Sequence, residues 1–381
     1  MRLPPTPDQV TKAAVNAFDR LSRGHLADLR EMPRAVVDEG PQRTVYRYHP
    51  TAKPREDLPP LLLVPPLAAP ALCFDLRRGC SIIEHELSIG RTVYMVDYGS
   101  IAFSDRELGL EHWFESVIPE SIRVAAADSM APEVDVWGWC LGGIMAMLSL
   151  ADQPDLPVRA IATVASPFDF TQVPLVAPLR PIANVAGGAA VSPIYKVLGG
   201  APAPIVKRAY QLAGLDKYLT KPMAIAQNLD DRDFLAQLEA VDRFMDNMLA
   251  YPGRTFGQMY HRFFRTNDLA KGFLDVDGRR IELKKIKQPV LSIAGSGDGI
   301  APLGSVHHVA DLLPNAKTVH LTKAPGGHLG VLTGRSARTT TWDAVDKFLE
   351  APELAVDGRT APKVKKSKKK ASKKKQAKAA A

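Results

Sequence analysis

The 381 residues are 46% apolar and 24% charged with a net charge of +8, a globular composition long enough for one large α/β domain with an insertion or for two ordinary domains. No apolar run reaches the roughly 18–20 residues that span a bilayer, and the opening MRLPPTPDQVTKAAVNAF has neither the apolar core nor the cleavage site of a secretory signal. Three cysteines, Cys73, Cys80 and Cys140, form neither a disulfide framework nor a zinc pattern, so a reduced, cytoplasmic setting is expected, without a metal. The basicity is an appendage: the stretch from Ala361 to Ala381 holds ten lysines and no acid, and without it the body is slightly acidic.

In chain order, an N-terminal helix and leading strands are expected over residues 1–57, with a strand from Thr44 to Tyr48. Short apolar, β-rich runs then recur from Pro60 to Val64, Thr92 to Asp97, Val134 to Trp137 and Val158 to Ala165. Two more run from Val290 to Ala294 and from Lys317 to Leu321. Helical patterns lie between most of them, at Cys80 to Ile89, Glu111 to Ser129, Leu141 to Ala151, Ser305 to Leu313 and Ser336 to Glu350. Such alternation predicts an α/β fold, a mainly parallel sheet covered on both faces.

More than a hundred residues separate the strands ending near Ala165 and starting at Val290. A structureless loop of that length is improbable in a domain. The stretch, with helical patterns around Ala203 to Leu215 and Asp233 to Met248, reads as an inserted, mostly helical cap. The division is then 58–168 for the first part of the core, 169–284 for the cap, 285–351 for the second part of the core, and 352–381 for a lysine-rich tail. That tail repels itself and lacks apolar groups, so it is expected to be disordered; its partners would be a polyanion, nucleic acid or a granule surface.

The chemistry concentrates in VWGWCLGGIM, residues 136–145. A strand runs through a tight turn directly into a helix, and Gly138 and Gly142 flank Cys140 as G-x-C-x-G. This is the nucleophile elbow with sulfur in place of oxygen, where glycines remove side chains that would collide. A thiol there lies at a helix N-terminus, which favours thiolate, and the N–H of Leu141 is placed to hold an oxyanion. Taken alone, Cys140 reads equally well as a buried small apolar residue. Two later loops alter the balance: the strand in PVLSIAGSGDGIAP leads to Asp298, and the strand in KTVHLTKAPGGHLGV leads to His328. Nucleophile, acid, histidine is the chain order of the α/β-hydrolase triad. His307 and His308 read as surface residues, His261 and His320 as structural, Cys73 and Cys80 as packing, and Asp97 as a turn-former or a group reaching the site.

By these motifs, together with MPRAVVDEGPQRTVYRY, PLLLVPPLAAPALCFDL, GRTVYMVDYG, SPFDF and NDLAKGFLDVDGRRIELKKIKQPVLSIAGSGDGIAP, the chain resembles the polyhydroxyalkanoate synthases. It is most similar to the class III catalytic subunit, within the α/β-hydrolase superfamily. The resemblance implies an α/β-hydrolase fold and a cysteine acyl-enzyme that polymerises (R)-3-hydroxyacyl groups from coenzyme A thioesters. Cys140 would be the nucleophile, His328 its base and Asp298 the third member, with no cofactor beyond the coenzyme A of the substrate. It also implies a second oxyanion donor from the loop carrying Ala68, and assembly as a homodimer or with a non-catalytic subunit. Two places depart from the family: Ala69 and Pro70 stand where an Asn-Lys pair is usual, and no tryptophan occurs near Arg243 to Asp246. The first departure keeps a cysteine-dependent esterase or thioesterase, or a non-polymerising homologue, as the alternative.

Overall fold

The computed structural model describes residues 6–174, 176–177 and 200–354. The tail and most of the Pro/Gly-rich passage after SPFDF lie outside the described residues. Eight strands form the central sheet: β1 (Arg34–Gly40), β2 (Arg43–Tyr48), β3 (Leu61–Val64), β4 (Val93–Asp97), β5 (Val134–Trp139), β6 (Val158–Val164), β7 (Val290–Gly295) and β8 (Val319–Ala324). Their order is β1-β2-β4-β3-β5-β6-β7-β8. The first two join antiparallel; from β4 onward every pairing is parallel. This is the mainly parallel sheet that the alternating pattern predicts.

Burial explains why the middle strands carry no polar alternation. All four residues of β3 and all six of β5 are buried, as in strands covered on both faces. The helices α2 (Ile82–Ser88), α3 (Ile118–Ser129) and α4 (Leu141–Asp152) are among those that cover the sheet, whereas α1 (Pro7–Arg23) buries only Asn16. Eleven of the twelve residues of α4 are buried, so this helix is apolar all round and belongs to the core rather than to the surface. The stretch expected as one helix from Glu111 is divided: a π-helical turn over His112–Val117 precedes α3, whose Pro119 has no N–H to continue the regular ladder.

Between β6 and β7 the chain leaves the sheet and forms α5 (Ala203–Ala213), α6 (Leu215–Gln227), α7 (Arg232–Asp246) and α8 (Gly253–Gln258), the last continued by a π-helical turn over Met259–Arg265. Helix α1 packs on these helices through Asn16, whose amide donates to the Leu229 carbonyl at 2.8 Å, and through an Arg20–Glu239 pair at 2.6 Å. A final helix, α9 (Thr341–Glu350), closes the fold. The chain order turns about β3: β4 lies on one side of it and β5 on the other. In parallel α/β sheets the crevice outside the carboxyl ends of two such strands is where ligands bind.

Candidate active site

Cys140 stands where β5 ends and α4 begins, with φ 52° and ψ −123°, a conformation that L-residues with side chains seldom adopt. Its N–H donates to the Val164 carbonyl at 2.9 Å, and its carbonyl accepts from the Ser166 hydroxyl at 2.8 Å. The flanking glycines are sterically required. A Cβ on Gly138 would lie 2.5 Å from the Gly143 Cα, and one on Gly142 would lie 2.3 Å from the Val64 carbonyl oxygen. Gly143 is under the same constraint, since its Cβ would meet the Ser166 hydroxyl at 2.3 Å.

Asp298 follows β7 and is buried. One carboxylate oxygen accepts the N–H groups of Ile300 and Ala301 at 2.8 and 2.9 Å, which orients the other toward the Nδ1 of His328, 2.9 Å away. The loop that carries His328 turns at Gly326, with φ +128°, and the Gly326 carbonyl accepts from the Gly297 N–H at 2.8 Å, which ties the acid loop to the histidine loop. Trp139 braces the imidazole: the two ring centroids are 5.2 Å apart, and the indole N–H donates to the His328 carbonyl at 3.3 Å. The Nε2 of His328 is buried without a hydrogen bond of regular geometry. Burial alone would lower the pKa of His328; its neighbours Cys140 and Asp298 outweigh it and push the value up to about 10. The structure therefore brings Cys140, Asp298 and His328 together.

Leu141 begins α4 beside the sulfur. Ala68 lies in the loop after β3 with φ 60°, and its carbonyl accepts from the Leu249 N–H at 3.0 Å, so the altered loop is fastened to the segment after α7. Ala69 is buried, and Pro70 caps a short 3₁₀ turn over Ala71–Phe74. Where the resemblance leads one to expect tryptophan, Phe244 is buried with its ring 6.0 Å from that of Trp139.

A cavity of about 370 Å³ opens over Cys140 and Leu141. Its walls include Phe170, Val206, Tyr210, Tyr251 and Met259. Tyr251 is buried and Tyr210 half-buried, and desolvation raises both above the usual tyrosine range, so they remain neutral. Tyr210 and Tyr251 carry no motif, and their place over the sulfur follows from packing alone. Ser166 and Asn267 were legible only as parts of SPFDF and NDL. The structure joins these two motifs: Asn267 donates to Asp169 at 2.9 Å and accepts from the Phe170 N–H at 2.9 Å.

Other expectations resolve as follows. His307 and His308 are half-buried rather than surface residues, with ring nitrogens 3.2 Å from the Thr322 carbonyl and 2.9 Å from the Ala270 carbonyl. Asp97 forms a turn, accepting from the Gly99 N–H at 2.9 Å. Cys73 is fully buried and its thiol pushed well up by burial, and the Cys80 sulfur lies 2.9 Å from the Thr333 carbonyl. No helix among the described residues is long and apolar enough to cross a membrane.

The sheet, the elbow after β5 and the acid and histidine loops after β7 and β8 define an α/β-hydrolase fold. The esterase RhEst1 from Rhodococcus sp. ECU1013 has a similar structure, with a TM-score of 0.50 and 14% identity over 84% of this chain and 99% of that one. Within that fold the chain is similar to poly(3-hydroxyalkanoate) polymerases. It is 25% identical over 357 residues to the poly(3-hydroxyalkanoate) polymerase subunit PhaC of Allochromatium vinosum, covering 90% of this chain and 97% of that one. To the subunit of the same name from Haloferax mediterranei it is 22% identical over 343 residues, 90% of this chain and 68% of that one. The family described as PHB de-polymerase C-terminus matches residues 217–353.

Proposed function

We propose that the protein is an acyltransferase that takes 3-hydroxyacyl groups from coenzyme A thioesters onto Cys140 and passes each to the hydroxyl of another, building a polyester. The observation that carries this reading is an elbow cysteine that lines an apolar cavity and stands beside a histidine–aspartate pair. In the first step the Cys140 thiolate attacks the thioester carbonyl. The N–H of Leu141 and the loop at Ala68 receive the oxyanion, the bond to the coenzyme A sulfur breaks, and the departing thiolate takes the proton from His328. In the second step the hydroxyl of a 3-hydroxyacyl group attacks the acyl-enzyme, His328 accepts the hydroxyl proton, an ester bond forms and the Cys140 thiolate is released. Asp298 holds Nδ1 protonated, so that Nε2 is the nitrogen that exchanges protons. The coenzyme A thioester is a substrate, and no cofactor takes part.

Sulfur suits this sequence. Exchange of one thioester for another is nearly isoenergetic, so the acyl-enzyme stays reactive toward an alcohol, which a serine ester would not. The apolar walls keep water from the acyl-enzyme and favour transfer over hydrolysis.

The test is incubation with 3-hydroxybutyryl-CoA while following thiol release, polymer and the mass of the protein. The wild-type protein is expected to release coenzyme A, carry an acyl group on Cys140 and form polymer. Cys140→Ala is expected to lose thiol release by at least about a thousandfold. The Ala69-Pro70 loop, and the family matched over residues 217–353 with its depolymerase description, favour a second reading, a cysteine-dependent thioesterase. Thiol release that yields only free acid selects it.

A further inference from the structure

Helix α8 and the π-helical turn that continues it have two unlike faces. Phe256, Met259, Tyr260 and Phe264 line the apolar cavity over Cys140. His261, Arg262 and Arg265, between and just after them, line a different and larger groove of about 820 Å³, which Arg106 and Arg254 complete and in which Glu107 is the one acid. Cys140 does not line that groove. Arg262 and Arg265 both line this groove, and neither lines the acyl cavity.

The groove is built rather than merely basic. Arg254 is held by Glu111 at 2.6 Å and by Asp277 at 2.7 Å. Arg106 lies over the Phe103 ring, 4.8 Å from its centroid. Arg262 is 3.6 Å from Asp268, and an Arg265 guanidinium nitrogen is 3.4 Å from the Nδ1 of His261. Arg254 is taken up by its two acids, whereas Arg106 and Arg262, 42% and 41% exposed, come no nearer than 3.6 Å to Glu107 and Asp268, so these two guanidiniums face a ligand more openly. The field is positive at His261: burial lowers its pKa, and Arg265 and Arg262 lower it further.

We propose that this groove holds the phosphates of the substrate's coenzyme A, so that α8 divides the nucleotide end of the thioester from its acyl end. Guanidinium forks match phosphate oxygens in pairs. The long pantetheine arm has to cover about the 10–12 Å diameter of one helix to join the two sites. The assignment rests on the acyl-CoA reading above and adds to it where the nucleotide is recognised.

The experiment compares the wild-type chain with the double variant Arg262→Gln/Arg265→Gln on three substrates. These are 3-hydroxybutyryl-CoA, its dephospho-CoA analogue without the 3′-phosphate, and the N-acetylcysteamine thioester, which has no nucleotide. The double variant is expected to raise KM for the coenzyme A thioester about tenfold or more, the scale of losing charged hydrogen bonds, at nearly unchanged kcat. It should narrow the gap between the first two substrates and turn over the N-acetylcysteamine thioester as the wild type does, which also shows that it is folded. Equal KM values for the coenzyme A thioester in both proteins overturn the groove assignment and leave the acyltransferase reading standing. If the wild type releases thiol from none of the three, it is the acyl-CoA reading that fails. Calorimetric titration with 3′,5′-ADP then decides the groove: binding lost in the double variant supports it, and no binding or equal binding overturns it.

Discussion

His328 sits beside Asp298 and Cys140, and that arrangement has a measurable signature. Its Nδ1 is fixed by Asp298 at 2.9 Å, while Cys140 raises its pKa against the effect of burial. The folded value of about 10 exceeds the ordinary histidine value of about 6.5. Protonated His328 therefore contributes stability that is complete below about pH 6.5 and is lost as pH rises through about 10. Followed by NMR of the ring carbons, His328 is expected to titrate near pH 10 in the wild type and by at least about one unit lower in Cys140→Ala, since removal of the sulfur deletes the largest favourable cause. An unchanged midpoint in that variant would separate the two residues electrically and remove the basis for an ion pair at the site. The strain at Cys140 belongs to the same scale: φ 52° is maintained because its N–H and carbonyl are both taken, by Val164 and by Ser166.

Among the secondary-structure elements, β4 and β5 are joined at the edge opposite the site by a buried ionic cluster. Arg91, just before β4, meets Glu86 at 2.9 Å and Asp135 of β5 at 3.2 Å, with all three side chains fully buried. Arg159 on β6 adds a second contact to Asp135 at 2.6 Å. Burial pushes Glu86 up to about 7 although Arg91 pulls it down. Arg91→Met leaves two buried carboxyls short of their cation and is expected to lower unfolding free energy in urea by about 3–5 kcal/mol. Because Glu86 has a raised folded pKa, its neutral form is the tolerated one, so the penalty should be smaller at about pH 5 than at about pH 8. The elbow shows why one element was so legible: strand, turn and helix are contiguous, and Gly138 is fixed by Gly142 and Gly143 just ahead of it, while those two meet Val64 and Ser166 from elsewhere in the chain. The positions of Asp298 and His328 were readable because each is the first titratable group in a loop after a core strand. The wall of the cavity was not, because Tyr210 and Tyr251 come from separate segments and obey no spacing relative to Cys140.

The whole molecule carries two unlike charge distributions, a body that is slightly acidic and a tail with ten lysines. Removing residues 361–381 is expected to abolish retention on a heparin column at low salt, since those lysines account for more than the whole net charge of +8. Thiol release from 3-hydroxybutyryl-CoA should be unchanged, and a loss of turnover in the truncated chain would tie the tail to the chemistry. The site itself is a product of the whole fold. Its nucleophile, acid and base stand on three strands of the sheet, and its walls come from helices inserted between two of those strands.

Sequence by itself determined the parallel sheet, the elbow and the order of its three chemical groups, because each depends on local periodicity, on glycine or on position after a strand. Only the tertiary structure decided what surrounds them. Trp139 against His328, Ser166 on the Cys140 carbonyl and Asn267 against Asp169 are contacts between residues as many as 189 positions apart. The two faces of α8 likewise acquire meaning only once one of them is packed over the sulfur, since burial, not spacing, separates an apolar wall from a basic groove.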